Sequence, residues 1–122
     1  MKYGLLKYWE KETNIGDYIQ SIAAKQFLPK IDEYVYRDQL HNVKGNLNVI
    51  MNGWFMHEPQ NWPPNDSLIP KFVSFHISDH VSDALTGPKC IEYYKKHEPI
   101  GCRDYHTQKI LENKGVKTYF SG

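Results

Sequence analysis

Short apolar runs alternate with helix-forming stretches along this chain, and that alternation restricts the fold more than any other feature. The runs fall at residues 3–8, 34–36, 47–54, 72–77, 100–102 and 116–120. Leu47-Asn48-Val49-Ile50-Met51-Asn52-Gly53-Trp54 is the strongest of them, and Phe72-Val73-Ser74-Phe75-His76-Ile77 alternates with the two-residue period of a strand. A helix is predicted over residues 17–28, where Ile19, Ile22, Ala23 and Phe27 recur at helical spacing as one apolar face. Asn14 or Asp17 suits its electropositive N-terminus, and Pro29 stops it. Gly87-Pro88 opens a second helix over 89–97, with proline at its favoured first position. A third spans 105–113, with Asp104 as N-cap, Ile110 and Leu111 inward and Gly115 as C-terminal cap. Residues 57–70 hold Pro59, Pro63, Pro64 and Pro70 and are expected to form an extended loop. Such alternation predicts an α/β fold, a Rossmann-like three-layer α/β/α arrangement around a mainly parallel sheet.

A length of 122 residues suits one domain. Fifteen basic residues against fourteen acidic ones give a formal charge of +1 with no basic stripe, which disfavours nucleic acid or an anionic membrane as main partner. No apolar run is long enough to span a bilayer, and the N-terminus is too short and polar for a signal peptide. The two cysteines, Cys90 and Cys102, lack metal-type spacing. The expectation is a soluble cytoplasmic protein with reduced thiols.

Ligands of open α/β sheets bind beyond the carboxyl ends of the strands. Asn14, Gly16, Asp17 and Gln20 follow the first run; Asn52, Gly53 and Trp54 end the third. His76 and Ser78 end the fourth, Arg103 and Asp104 follow the fifth, and Ser121-Gly122 close the last. Polar caps and loops supply such residues in any domain of this kind, so convergence alone does not make a site. The loop Asn14-Ile15-Gly16-Asp17 enters a helix N-terminus but carries neither a GxGxxG nor a Walker pattern, and nothing here calls for a cofactor. His76 and His80 flank Asp79 at a spacing that needs a helix, whereas this stretch leaves a strand, so no metal is expected. Cys102, inside an apolar strand, reads as packing. Arg103 suits a core carboxylate as well as it suits a substrate.

Four segments in order carry a resemblance: Asn14-Ile15-Gly16-Asp17-Tyr18-Ile19-Gln20, Val49-Ile50-Met51-Asn52-Gly53-Trp54, Phe75-His76-Ile77-Ser78, and Pro99-Ile100-Gly101-Cys102-Arg103-Asp104 with Thr107, Leu111 and Gly115. With the closing Tyr119-Phe120-Ser121-Gly122, the chain resembles the N-terminal region of the polysaccharide pyruvyl transferase family along essentially its whole length. The resemblance implies the acceptor-side domain of a two-domain GT-B-like transferase. Its implied activity is transfer of a pyruvyl group from phosphoenolpyruvate to a sugar hydroxyl, in the synthesis of exopolysaccharide or another cell-surface polysaccharide. Phosphoenolpyruvate is then expected to sit mainly on a C-terminal domain. In the family the Ser-Gly motif is followed by further chain, so residues 1–122 are expected to be the N-terminal portion of a longer protein and inert alone. An uncovered sheet edge would also suit a homodimer.

Ketal formation needs a base for the acceptor hydroxyl and an acid for the enol carbon. Under the resemblance, Asp17 and His76 are the catalytic candidates. Asn14, Gly16, Gln20, Asn52 and Trp54 are candidate contacts to the sugar acceptor, and Arg103 is a candidate for a phosphate or an acidic sugar. Two other readings stay open. One is a non-catalytic sugar- or protein-binding module built on the aromatic loop around Trp54, Phe55 and Trp62. The other is a glycosyltransferase of the same architecture that uses a nucleotide sugar.

Overall fold

In the computed structural model, residues 1–8 and 15–122 are described. The elements in chain order are β1 (Lys2–Lys7), α1 (Ile15–Lys25), β2 (Glu33–Tyr36), β3 (Leu47–Trp54), β4 (Leu68–His76), α2 (Ser82–Leu85), α3 (Pro88–Lys96), β5 (Ile100–Cys102), α4 (Tyr105–Glu112) and β6 (Thr118–Phe120). Short 3-10 turns lie at Arg37–Asn42, Pro59–Asn61 and Asp79–Val81. All pairings are parallel, and the six strands lie in the order β2-β1-β3-β4-β5-β6. This is the Rossmann-like α/β fold that the alternation predicts. The order reverses at β1, which has β2 on one side and β3 on the other, and this opens a crevice above the β1/β3 carboxyl ends.

One face of the sheet holds the main core. Leu6, Val35, Leu47, Val49, Met51, Leu68, Phe72, Phe75, Ile77, Ile100 and Cys102 pack there against Tyr93 and Tyr94 of α3 and Leu111 of α4. Its centre is aromatic. Trp62 stacks on Phe75 with ring centroids 5.9 Å apart, and its indole N–H donates to the Tyr94 hydroxyl at 2.8 Å, which in turn donates to the Leu85 carbonyl at 2.9 Å. A fully buried tyrosine and tryptophan thus have their polar atoms satisfied. Phe55 and Trp62 belong to this core, so they are not the exposed sugar-stacking platform of the binding-module reading.

Helix α1 reverses the expectation from periodicity. Asp17, Ser21 and Ala24, spaced four and three apart, are buried, whereas Ile19 and Ile22 are 57% and 64% exposed, and Phe27, expected in the helix but lying in the turn after its end at Lys25, is 79% exposed. The side facing the sheet is held by polar contacts: Ser21 Oγ donates to the Leu6 carbonyl at 2.6 Å, and Asn52 Nδ2 donates to the Gln20 carbonyl at 2.8 Å. Small residues let the helix approach the strands closely enough for these bonds. The apolar spacing is therefore real, but it faces away from the sheet.

Strand β4 differs from its sequence reading in two ways. It starts at Leu68 and includes Pro70, a residue expected in the extended loop. There β5 has not yet joined, since it pairs with β4 only at Phe75↔Cys102, so one edge of β4 is open and the missing proline N–H is tolerated. The alternation is also broken. Met51 pairs with Phe72 but Gly53 with Phe75, so β4 carries one extra residue, absorbed by Ser74 in a left-handed conformation (φ 52°). The bulge turns Phe72, Phe75 and Ile77 all into the core and leaves His76 at the strand end on the other side. Ser74 is held from the far end of the chain: its N–H donates to Ser121 Oγ at 2.8 Å and its hydroxyl donates to the Gly122 carbonyl. No helix among the described residues is long and apolar enough to cross a membrane.

Candidate functional site

A pocket of about 430 Å³ lies at the carboxyl ends of the strands, lined by Gly16, Asp17, Gln20, Trp54, His76 and Arg103. They come from four places in the topology. The first turns of α1 follow β1, Trp54 ends β3, His76 ends β4 and Arg103 follows β5. Six of the eight residues singled out from the sequence, namely Asp17, His76, Gly16, Gln20, Trp54 and Arg103, thus share one cavity. Asn52 lies beneath it, 9% exposed, and supports Gln20 through the 2.8 Å bond to its carbonyl. Gly53 makes room for the same side chain. With φ of +120°, it has Gln20 Oε1 only 2.6 Å from where a Cβ would stand. Asn14 lies outside the described residues.

His76 is the most constrained group in the pocket. Its Nδ1 is 2.6 Å from Asp104 Oδ2, and its Nε2 is 3.3 Å from Ser78 Oγ. A carboxylate beside Nδ1 requires that nitrogen to carry the proton, which leaves the Nε2 lone pair to accept. Ser78 Oγ also accepts from the Trp54 indole N–H at 3.1 Å, so its own hydrogen is free to turn towards Nε2. The result is a chain of hydrogen bonds from carboxylate to imidazole to hydroxyl to indole, with both the imidazole and the indole lining the pocket.

Asp104 is also the N-cap of α4, accepting the Thr107 N–H on Oδ1 at 2.7 Å. Partial burial opposes its charge, but the Thr107 bonds and the His76 bond outweigh it and hold the carboxyl below its ordinary value. The cap was legible in the sequence. The second role was not, because only the β4–β5 pairing brings residues 76 and 104 together.

On the opposite wall Asp17 is paired with Arg37, with Nη1 to Oδ2 at 2.8 Å and side-chain exposures of only 3% and 9%. Asp38 approaches the same guanidinium at 3.5 Å, and the Tyr8 ring lies 4.7 Å below it. Burial opposes the Arg37 charge, yet the hydrogen bond to Asp17 and the charges of Asp38 and Asp17 raise its pKa. Burial, only partly offset by Arg37, raises that of Asp38, and it also pushes Tyr8 up to about 12. Asp17 therefore serves at least as an anchor between α1 and the end of β2. Arg37 was missed from the sequence; the available signal is a charged Arg-Asp pair placed directly at the carboxyl end of a strand.

Cys102 is fully buried, and desolvation, with smaller effects from Asp104 and Glu112, pushes its thiol up to about 12, consistent with packing. Arg103 is held through its backbone, whose N–H donates to the Phe75 carbonyl at 2.9 Å, so its side chain starts from a fixed point at the pocket wall. Comparison of this chain with models of protein families, with curated proteins and with solved structures finds no match.

Proposed function

We propose that this chain is the acceptor-side domain of a transferase of the polysaccharide pyruvyl transferase kind, which moves a pyruvyl group from phosphoenolpyruvate to a sugar hydroxyl. The observation that carries the reading is the oriented imidazole of His76 in a polar pocket at the strand ends. Nε2 accepts the proton of an acceptor hydroxyl as its oxygen bonds to the C2 atom of the enolpyruvyl group and the methylene carbon is protonated. A second acceptor hydroxyl then bonds to C2 as the bond from C2 to the phosphate oxygen breaks, so the cyclic ketal forms and inorganic phosphate leaves. Asp104 holds the ring in the required tautomer and stabilises the imidazolium that forms. Trp54 offers a partly buried indole for a sugar face, and Gln20 a hydrogen-bonding amide. Phosphoenolpyruvate, and the acid that protonates its methylene carbon, belong to the donor side of the cleft. The Ser78 hydroxyl, 3.3 Å from Nε2, turns away from that lone pair when the acceptor hydroxyl takes its place.

The reading is tested by NMR titration of the chain with a panel of neutral and acidic monosaccharides. Saturable shifts confined to Gly16, Gln20, Trp54, His76 and their neighbours are expected, reduced at least several-fold by Trp54→Ala. Shifts that do not saturate, or that map to another surface, would overturn it.

A further inference from the structure

The charges in the pocket are unevenly matched. Asp17 is committed to Arg37 at 2.8 Å, and both oxygens of Asp104 are occupied, one by the Thr107 N–H and one by His76. Arg103 lines the same cavity, and its guanidinium has no ion pair or side-chain hydrogen bond with any described residue. The first turn of α1, the positive end of that helix, lines the same cavity through Gly16 and Asp17. A planar guanidinium left uncompensated in a cavity matches a group with two coplanar oxygens and a negative charge, which it can hold through two parallel N–H donors.

We propose that the pocket selects an acidic acceptor, a sugar bearing a carboxylate or a phosphate, and that Arg103 is the residue that reads this group. The inference rests on the pocket being the acceptor site proposed above. In it, Arg103 fixes the anionic substituent at one end of the sugar, while Trp54 and Gln20 hold the ring and a hydroxyl reaches His76 Nε2. The specificity then comes from the far end of the acceptor, away from the reacting oxygen.

The test uses the 122-residue chain and its Arg103→Gln and Arg103→Lys variants, titrated by NMR with glucose, glucuronate, glucose 1-phosphate, phosphoenolpyruvate and inorganic phosphate. Glucuronate or glucose 1-phosphate is expected to bind about ten-fold or more tightly than glucose, as a charge-assisted contact predicts. The tighter of the two identifies carboxylate or phosphate as the group read. Arg103→Gln should remove that advantage, bringing the acidic sugars to within about two-fold of glucose, and Arg103→Lys, which keeps the charge but loses the fork, should keep part of it. Retained spectra of both variants exclude unfolding as the cause. Equal binding of glucose and both acidic sugars to the native chain overturns the acidic-acceptor inference while the acceptor reading stands. Phosphoenolpyruvate or inorganic phosphate binding as tightly as the acidic sugars overturns it in favour of an anion site without sugar selectivity. No binding by any sugar overturns both.

Discussion

At the scale of single residues, Asp104 joins a structural task to one at the pocket with one carboxylate. One oxygen caps α4 and the other fixes the His76 ring, at 2.7 and 2.6 Å respectively. Asparagine caps a helix as well as aspartate does, so Asp104→Asn removes the charge while keeping the cap. The folded pKa of Asp104 lies below its ordinary value of 3.8, so its carboxylate adds stability above that value and loses it as the pH falls through the folded pKa. Urea midpoints measured from pH 6 downward should therefore decline more steeply below about pH 4 in the native chain than in Asp104→Asn. The same substitution should also release His76 from the Nδ1-protonated tautomer, visible in the imidazole nitrogen shifts. An unchanged tautomer would show that the carboxylate does not orient the ring.

At the scale of elements, α1 is held to the sheet by polar bonds and an ion pair instead of by an apolar stripe. Arg37 lies at the centre of that attachment, with Asp17, Asp38 and Tyr8 around it. Removing one partner of a buried pair leaves the others charged and desolvated. Arg37→Ala is accordingly expected to destabilise the chain by about 3 kcal/mol in urea denaturation, with α1 the first element to lose amide protection in hydrogen exchange. A loss under about 0.5 kcal/mol, the range of ordinary surface changes, would mean that the pair is solvated. The β4 bulge is the second feature at this scale. Ser74 in the left-handed region, tied to Ser121 and Gly122, places Phe75 in the core and His76 at the pocket. The end of the chain thus helps to shape the strand that carries the candidate base.

For the molecule as a whole, the two sheet faces are unequal. The face bearing α3 and α4 has a dense aromatic core, whereas α1 turns Ile19 and Ile22 outward and the turn after it exposes Phe27, which shares a groove with the half-exposed Ile69 of β4. That groove, of about 470 Å³, is lined by Phe27, Leu28, Ile50 and Ile69 among others. Because Ile19 and Ile22 are exposed, Ile19→Thr combined with Ile22→Lys should change stability by no more than about 0.5 kcal/mol per site. Burial in a core would instead predict losses of several kcal/mol on thermal or urea denaturation.

Much of this architecture is local and so was legible in the sequence. The strand at 47–54, the Pro88 helix start, the Asp104 cap and the Gly115 turn (φ +84°) each depend on a few neighbouring residues and their backbone preferences. The all-parallel α/β order follows from the spacing of those elements, and it also brings the polar strand ends together at one edge. What residues 1–122 by themselves determined is thus the set of elements and the edge where a ligand would sit. Which way α1 turns, how β4 bulges and which charges pair were decided only in three dimensions. Periodicity identifies an apolar face but not what it faces, and Asp17 with Arg37, or His76 with Asp104, meet across sequence separations of 20 and 28. Arg103 shows the same limit from the other side: its sequence neighbours permit a core partner or a ligand, and only the packed pocket shows that Asp17 and Asp104, the carboxylates nearby among the described residues, are already taken.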